Sequence, residues 1–84
     1  MFDGVFFYNG AQWHIKSACF AWVYRQCLAF IRSHEVATID INRPTGWPVC
    51  MLVYQGGGEV KVISFISGRS VRIGGIYNVS DYNE

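Results

Sequence analysis

The side chains with the most chemical reach in this chain are three cysteines, Cys19, Cys27 and Cys50, and two histidines, His14 and His34. A structural zinc site usually shows itself as paired Cys or His ligands at short spacing. No Cys-x-x-Cys and no histidine pair at helical spacing occurs here. Cys27 and His34 share a helical face but stand about two turns apart, too far to hold one ion without a third group between them. A cysteine nucleophile needs an electropositive, partly open setting. Cys50 instead falls in a run that reads as a central strand, where a thiol behaves as a small hydrophobe. Acid–base work asks for paired carboxylates held at different pKa values, and Asp3, Glu35, Asp40, Glu59, Asp81 and Glu84 are scattered or terminal. Gly56-Gly57-Gly58 could suggest a phosphate cradle, but a cradle opens a helix, and here a β-branched strand follows with no Lys-Ser/Thr pair. The expectation is a chain with no catalytic, metal or cofactor site.

What remains is recognition chemistry, and two surfaces offer it. From Ser17 to His34 the apolar residues Phe20, Val23, Tyr24, Cys27 and Ile31 form one helical stripe. Trp22 falls about 160° from the centre of that stripe, beside Ala18, Arg25 and Ala29. Trp and Arg are the types most enriched in binding hot spots, and small neighbours allow close approach. Trp22, Arg25, Arg32 and the loop residue Trp47 are therefore candidates for docking on a larger protein. The competing expectation is that the apolar tail Ile76 to Tyr82 folds back over Trp22, and that Trp47 is a lid on the core. The second surface is a sheet face carrying Phe7, His14, Lys16, Lys61, Ile63, Phe65 and Arg72. Such a basic–aromatic mix could stack the bases of a single strand and neutralise its phosphates. The chain lacks the second helix and Gly-aromatic motif of an RRM, which makes nucleic acid the lesser expectation.

The elements that must position these residues are legible from pattern. Val5 to Tyr8 and Ala11 to Lys16 flank Asn9-Gly10, a type I′ hairpin signal that opposes Tyr8 to Ala11 and Phe6 to Trp13. Phe6, Tyr8, Trp13 and Ile15 then form the core face. Ser17 is the expected helix N-cap, and the helix should end near His34 or Glu35. Val36 to Ile41 alternates as a strand with Ala37, Ile39 and Ile41 inward. Pro44, Gly46 and Pro48 make Asn42 to Pro48 a loop. Val49 to Tyr54 reads as a central strand and Glu59 to Ile66 as its partner. A Gly68-Arg69 turn should oppose Phe65 to Arg72 and lead into a last strand, Ser70 to Ile73. Ile76 to Val79 would be a short strand or coil, and Ser80 to Glu84 frayed. The expected fold is a single two-layer α+β domain over residues 1–84, in the order ββαββββ: a hairpin, one amphipathic helix, then an antiparallel meander.

Composition narrows the partner. Of the 84 residues, 51% are hydrophobic and only 15% charged, against an average charged share of about 25%. That excludes a disordered chain and leaves too few charges to cover a small domain, so another chain, a second copy in a homodimer or a larger protein, is expected over part of the surface. A net charge of +1 provides no strong field for nucleic acid or an acidic membrane, and no acidic surface to mimic DNA. With no basic N-terminal region, and an apolar stretch from Ala18 to Ile31 too short to span a bilayer, a cytoplasmic protein free of the membrane is expected. The odd number of cysteines suits free buried thiols in a reducing compartment.

In size, ββα opening and lack of a catalytic signature, the chain resembles the small inhibitors that phages and mobile elements encode, the anti-CRISPR type among them. The resemblance spans the architecture and rests on no motif. It implies a non-enzymatic binder that blocks a host defence complex sterically, in the cytoplasm of the host cell.

Overall fold

The computed structural model describes residues 1–66 and 69–78 and has the expected α+β architecture. Its elements are β1 (Phe2–Tyr8), β2 (Ala11–Ser17), α1 (Phe20–His34), β3 (Thr38–Asn42), β4 (Pro48–Gly56), β5 (Glu59–Ile66) and β6 (Arg69–Asn78). Asn9 and Gly10, at φ 55° and 80°, supply the two left-handed residues that a type I′ turn requires. The β1–β2 register follows as read from the sequence, with Phe6 opposite Trp13 and Tyr8 opposite Ala11.

The strands form one antiparallel sheet in the order β2-β1-β3-β4-β5-β6. The helix explains why β3 lies beside β1 and not beside β2. A 15-residue helix carries the chain about 22 Å, back to the end where β2 began. Strand β3 therefore runs parallel to β2 and completes an antiparallel ladder by crossing to the far side of β1, with Gly4 opposite Ile41. Beyond it, β3 to β6 meander.

Helix α1 covers one face of this sheet. Val23, Cys27, Leu28 and Ile31 are fully buried against Ile39, Ile41, Leu52 and Val60. Two aromatic clusters hold its ends to the hairpin. Phe2 meets Phe20 edge-on at 5.5 Å, while Phe30 packs against Phe6 at 4.8 Å and Tyr8 at 5.5 Å. Between them, Gly4 lets the helix lie directly on the β1 backbone: a Cβ at this position would come within 2.5 Å of Cys27 Sγ. The helix closes at Glu35, in the left-handed region at φ 53°, where its N–H and that of Val36 both reach the Ile31 carbonyl.

Several sequence expectations are corrected. Strand β1 begins at Phe2, not Val5: Asp3 and Gly4, poor strand formers by type, are held in the ladder by β2 on one side and β3 on the other. The N-cap is Cys19, which makes no side-chain cap bond. Ser17 ends β2, and its hydroxyl accepts the Cys19 N–H at 3.1 Å. Val36 is buried and Ala37 exposed, since pairing in β3 starts only at Thr38. Trp13 lies on the helix-side face as expected, yet is 49% exposed, because β2 is the sheet edge. Its indole N–H donates to the Tyr8 carbonyl at 3.0 Å. Arg69 pairs with Ile66, so Phe65 opposes Ser70 and Arg72 opposes Ile63. Strand β6 continues through Gly74-Gly75 to Asn78, the register shifting between Lys61 and Ile63 so that Ile73, Gly74 and Gly75 stand against Val62 alone. Gly68, Val79 and Ser80 to Glu84 lie outside the described residues.

Gly4→Ala should cost about 1–3 kcal/mol in urea denaturation as an overpacking change. Adding Cys27→Ala, which vacates the Sγ position, should recover part of the Gly4→Ala loss. Strictly additive costs would show that Cys27 is not what the new methyl meets. Glu35→Gly should raise stability by about 1 kcal/mol, by relieving the left-handed backbone and removing a negative charge from the helix C-terminus.

Candidate functional site

The fold sorts the candidate residues by the end of the sheet at which they emerge. At one end, the first turn of α1 lies against Phe2, and the β3–β4 loop follows Asn42, whose register partner is Asp3. Trp22 projects from that first turn and is 42% exposed; Trp47 stands in that loop and is 61% exposed. The loop holds its shape through two backbone bonds, from Arg43 N–H to the Trp47 carbonyl at 2.7 Å and from Gly46 N–H to the Arg43 carbonyl at 2.8 Å. Trp47 is thus no lid over the core. A shallow cleft of about 390 Å³ opens beside it, between Lys16, Asp3, Asn42 and Arg43.

Arg32 emerges at the opposite end, where it lines a depression of about 500 Å³ with Ala29, Ser33, Tyr54 and Gly58. Trp22 and Trp47 therefore share one end of the molecule and Arg32 does not. Arg25 is exposed between them on the helix. From Phe20 to His34 the helix contains Arg25 and Arg32 and no acid. Of the tail expected to cover Trp22, Ile76 to Asn78 instead pair with Glu59 to Lys61 of β5, far from the hairpin side of the sheet.

The sheet face away from the helix carries more than a basic–aromatic mix. Register places Asp3 opposite Lys16, and Val5 between His14 and Asp40. His14 Nδ1 lies 3.0 Å and 3.1 Å from the two carboxylate oxygens of Asp3. Across β4 and β5 the same face continues through Met51, Val53, Lys61 and Ile63. Phe7, 73% exposed, lies toward the Asn9-Gly10 end, whereas Phe65 lies near the other end of β5, so the two aromatic rings do not form one stacking platform. Arg72 is opposite Ile63 in register. Sequence reading left Asp3 and Asp40 out of this face. The signal was present in strand alternation, but Asp3 lay before the strand as first bounded.

The remaining chemical residues have structural surroundings. His34 stacks on Phe30 at 4.0 Å, with Ser33 Oγ 2.9 Å from its Nδ1. Cys27 and Cys50 are buried, and Cys19 is exposed, contrary to the expectation that all three thiols would be covered. Burial pushes the Cys27 thiol up to about 12, with smaller contributions from Cys50 and Asp3, and does the same to Cys50 with help from Asp40. Both thiols are therefore neutral at physiological pH. Among the described residues no three His, Cys, Asp or Glu side chains stand together as a metal site, and no helix is long and apolar enough to cross a membrane. Comparison with protein-family models, curated proteins and solved structures yields no match.

At pH 8, iodoacetamide should modify Cys19 promptly and reach Cys27 and Cys50 only through unfolding; equal rates at all three would refute the packing described. The raised thiols also set a pH dependence. The folded chain keeps two protons that the unfolded chain releases as pH rises through the ordinary thiol range, so stability should be level up to about pH 8 and fall as pH rises toward 12. The slope contributed by each thiol approaches about 1.4 kcal/mol per pH unit, and Cys50→Ala should flatten it in denaturation curves taken from pH 7 to 10.

Proposed function

We propose that this chain is a non-enzymatic protein-binding module that acts by occluding a surface of a larger protein. The carrying observation is that Trp22 and Trp47, two large exposed aromatics, emerge at the same end of the fold. An exposed tryptophan on the solvent face of a helix contributes little to its own domain and much to a partner that buries it. The helix that carries Trp22 holds Arg25 and Arg32, the latter at its far end, and no acid from Phe20 to His34, which favours an acidic partner surface. An inhibitor encoded by a phage or mobile element, held against a host defence complex in the cytoplasm, is the form such a module would take. The resemblance in size and architecture supports this form.

A single-stranded nucleic acid on the open sheet face has weaker support. Asp3 and Asp40 would meet phosphate oxygens there, and Asp3 already occupies His14. This reading requires binding that weakens steeply with salt.

The test is quantitative capture of the partner from cells that express the chain, compared between wild type, Trp22→Ala and Trp47→Ala. Both variants should keep the wild-type circular dichroism and melting temperature. At least one should lose about 30-fold in affinity, equivalent to about 2 kcal/mol for a central aromatic anchor. Undiminished capture by both would remove this end of the molecule from the binding account.

A further inference from the structure

We infer that two copies of this chain pair through the outer edge of β2, joining their sheets into one continuous antiparallel sheet across a two-fold axis at His14. Strand β2 is the terminal strand of the sheet, and five of its seven residues are exposed. Edge strands are usually blunted by proline, bulges, covering segments or several charges. Strand β2 contains no proline or glycine, its register with β1 is unbroken, and Lys16 is its only residue with a permanent charge. Among the described residues no backbone bond is made to its outer side.

The hairpin turn determines which groups that edge offers. In a two-residue type I′ hairpin the flanking pair, Tyr8 and Ala11, exchange both backbone bonds. Ala11, Trp13, Ile15 and Ser17 therefore bond toward β1, and Gln12, His14 and Lys16 turn N–H and C=O outward. Antiparallel self-pairing uses all three outward residues in one register only: His14 opposite His14, and Gln12 opposite Lys16, in each direction. That register makes on the order of six new backbone hydrogen bonds.

The same register is self-complementary in its side chains. On the helix-side face it sets Trp13 against the second copy's Ile15, twice by symmetry. This is an aromatic–β-branched cross-strand pair of the kind that stabilises sheets. It also covers Trp13, a core-face tryptophan that its own domain leaves 49% exposed. The other face receives Gln12 against Lys16 and His14 against His14, each imidazole held beside its own Asp3 carboxylate. The helix does not obstruct the arrangement. It packs over β1, between β2 and β3, so strand spacing puts the two helices about 14 Å apart, beyond the 8–10 Å or so of direct helix contact. This pairing is independent of the Trp22–Trp47 end and leaves it open in both copies.

Light scattering on the eluting protein should give twice the 9.5 kDa chain mass, dissociating on dilution. His14→Pro removes an outward N–H and no β1 bond, so it should give a folded monomer. Gln12→Pro should do the same and serves if His14→Pro fails to fold. Register is read by crosslinking in a Cys19→Ser background. The paired His14 Cα atoms would lie about 5.5 Å apart, so His14→Cys should form a covalent dimer on oxidation or with a short bis-maleimide. Gln12→Cys, about 14 Å from its own copy, should not. A monomer at several hundred micromolar would overturn the inference. So would dimers that persist in both folded proline variants, or equal crosslinking at positions 12 and 14.

Discussion

The contact on which this structure depends is the one between Gly4 and Cys27. Helix α1 rests directly on the backbone of β1 because residue 4 has no Cβ, and the buried thiol fills the space a methyl would need. The contact sets the height of the helix above the sheet, and the rest of the packing is scaled to it. Phe20 can reach Phe2 at one end of the helix, and Phe30 can reach Phe6 and Tyr8 at the other, only at that height. The crossover that carries the chain from β2 over β1 into β3 runs through the same helix. A core of this size has little in reserve. Truncating one buried residue such as Leu28 costs about 2–5 kcal/mol, a large fraction of the stability a domain of this length has.

One helix cannot cover six strands on two faces. The helix-side face is buried where the helix lies over it, around Ile39, Ile41, Leu52 and Val60, and the opposite face holds Val5, Met51, Val53 and Ile63 among Asp3, His14, Asp40 and Lys61. The low charge content follows from the same imbalance. Much of the chain is committed to a small core, and the remaining apolar side chains emerge as separate exposed residues at the ends and edge: Met1, Trp22 and Trp47 at one end, Phe7 toward the other, Trp13 on the edge strand. Their separation gives the molecule several small contact surfaces in place of one large apolar patch.

Local signals were read well wherever a short-range rule decides the outcome. Asn9-Gly10 specified the hairpin and its register, because two consecutive left-handed residues admit few alternatives. The 3.6-residue period placed Val23, Tyr24, Cys27 and Ile31 in the core and Trp22 outside it. Pro44, Gly46 and Pro48 marked the loop that carries Trp47. The errors fall where a distant partner overrides local preference. Strand β1 starts at Phe2 through two residues of poor strand propensity because their neighbours in space are β2, β3 and the helix. The β5–β6 ladder absorbs its extra residues at Gly74-Gly75, which a reading limited to the nearest turn could not foresee.

The sequence by itself determined the element order, the hairpin register and the inward face of the helix, because periodicity and turn type are properties of neighbouring residues. Only the tertiary structure decided that β3 crosses to the far side of β1, that Trp22 and Trp47 share one end while Arg32 lies at the other, and that Trp13 is left at an edge. Each of these depends on which strands become neighbours and on where the helix lies across them, long-range packing constraints that no local pattern encodes.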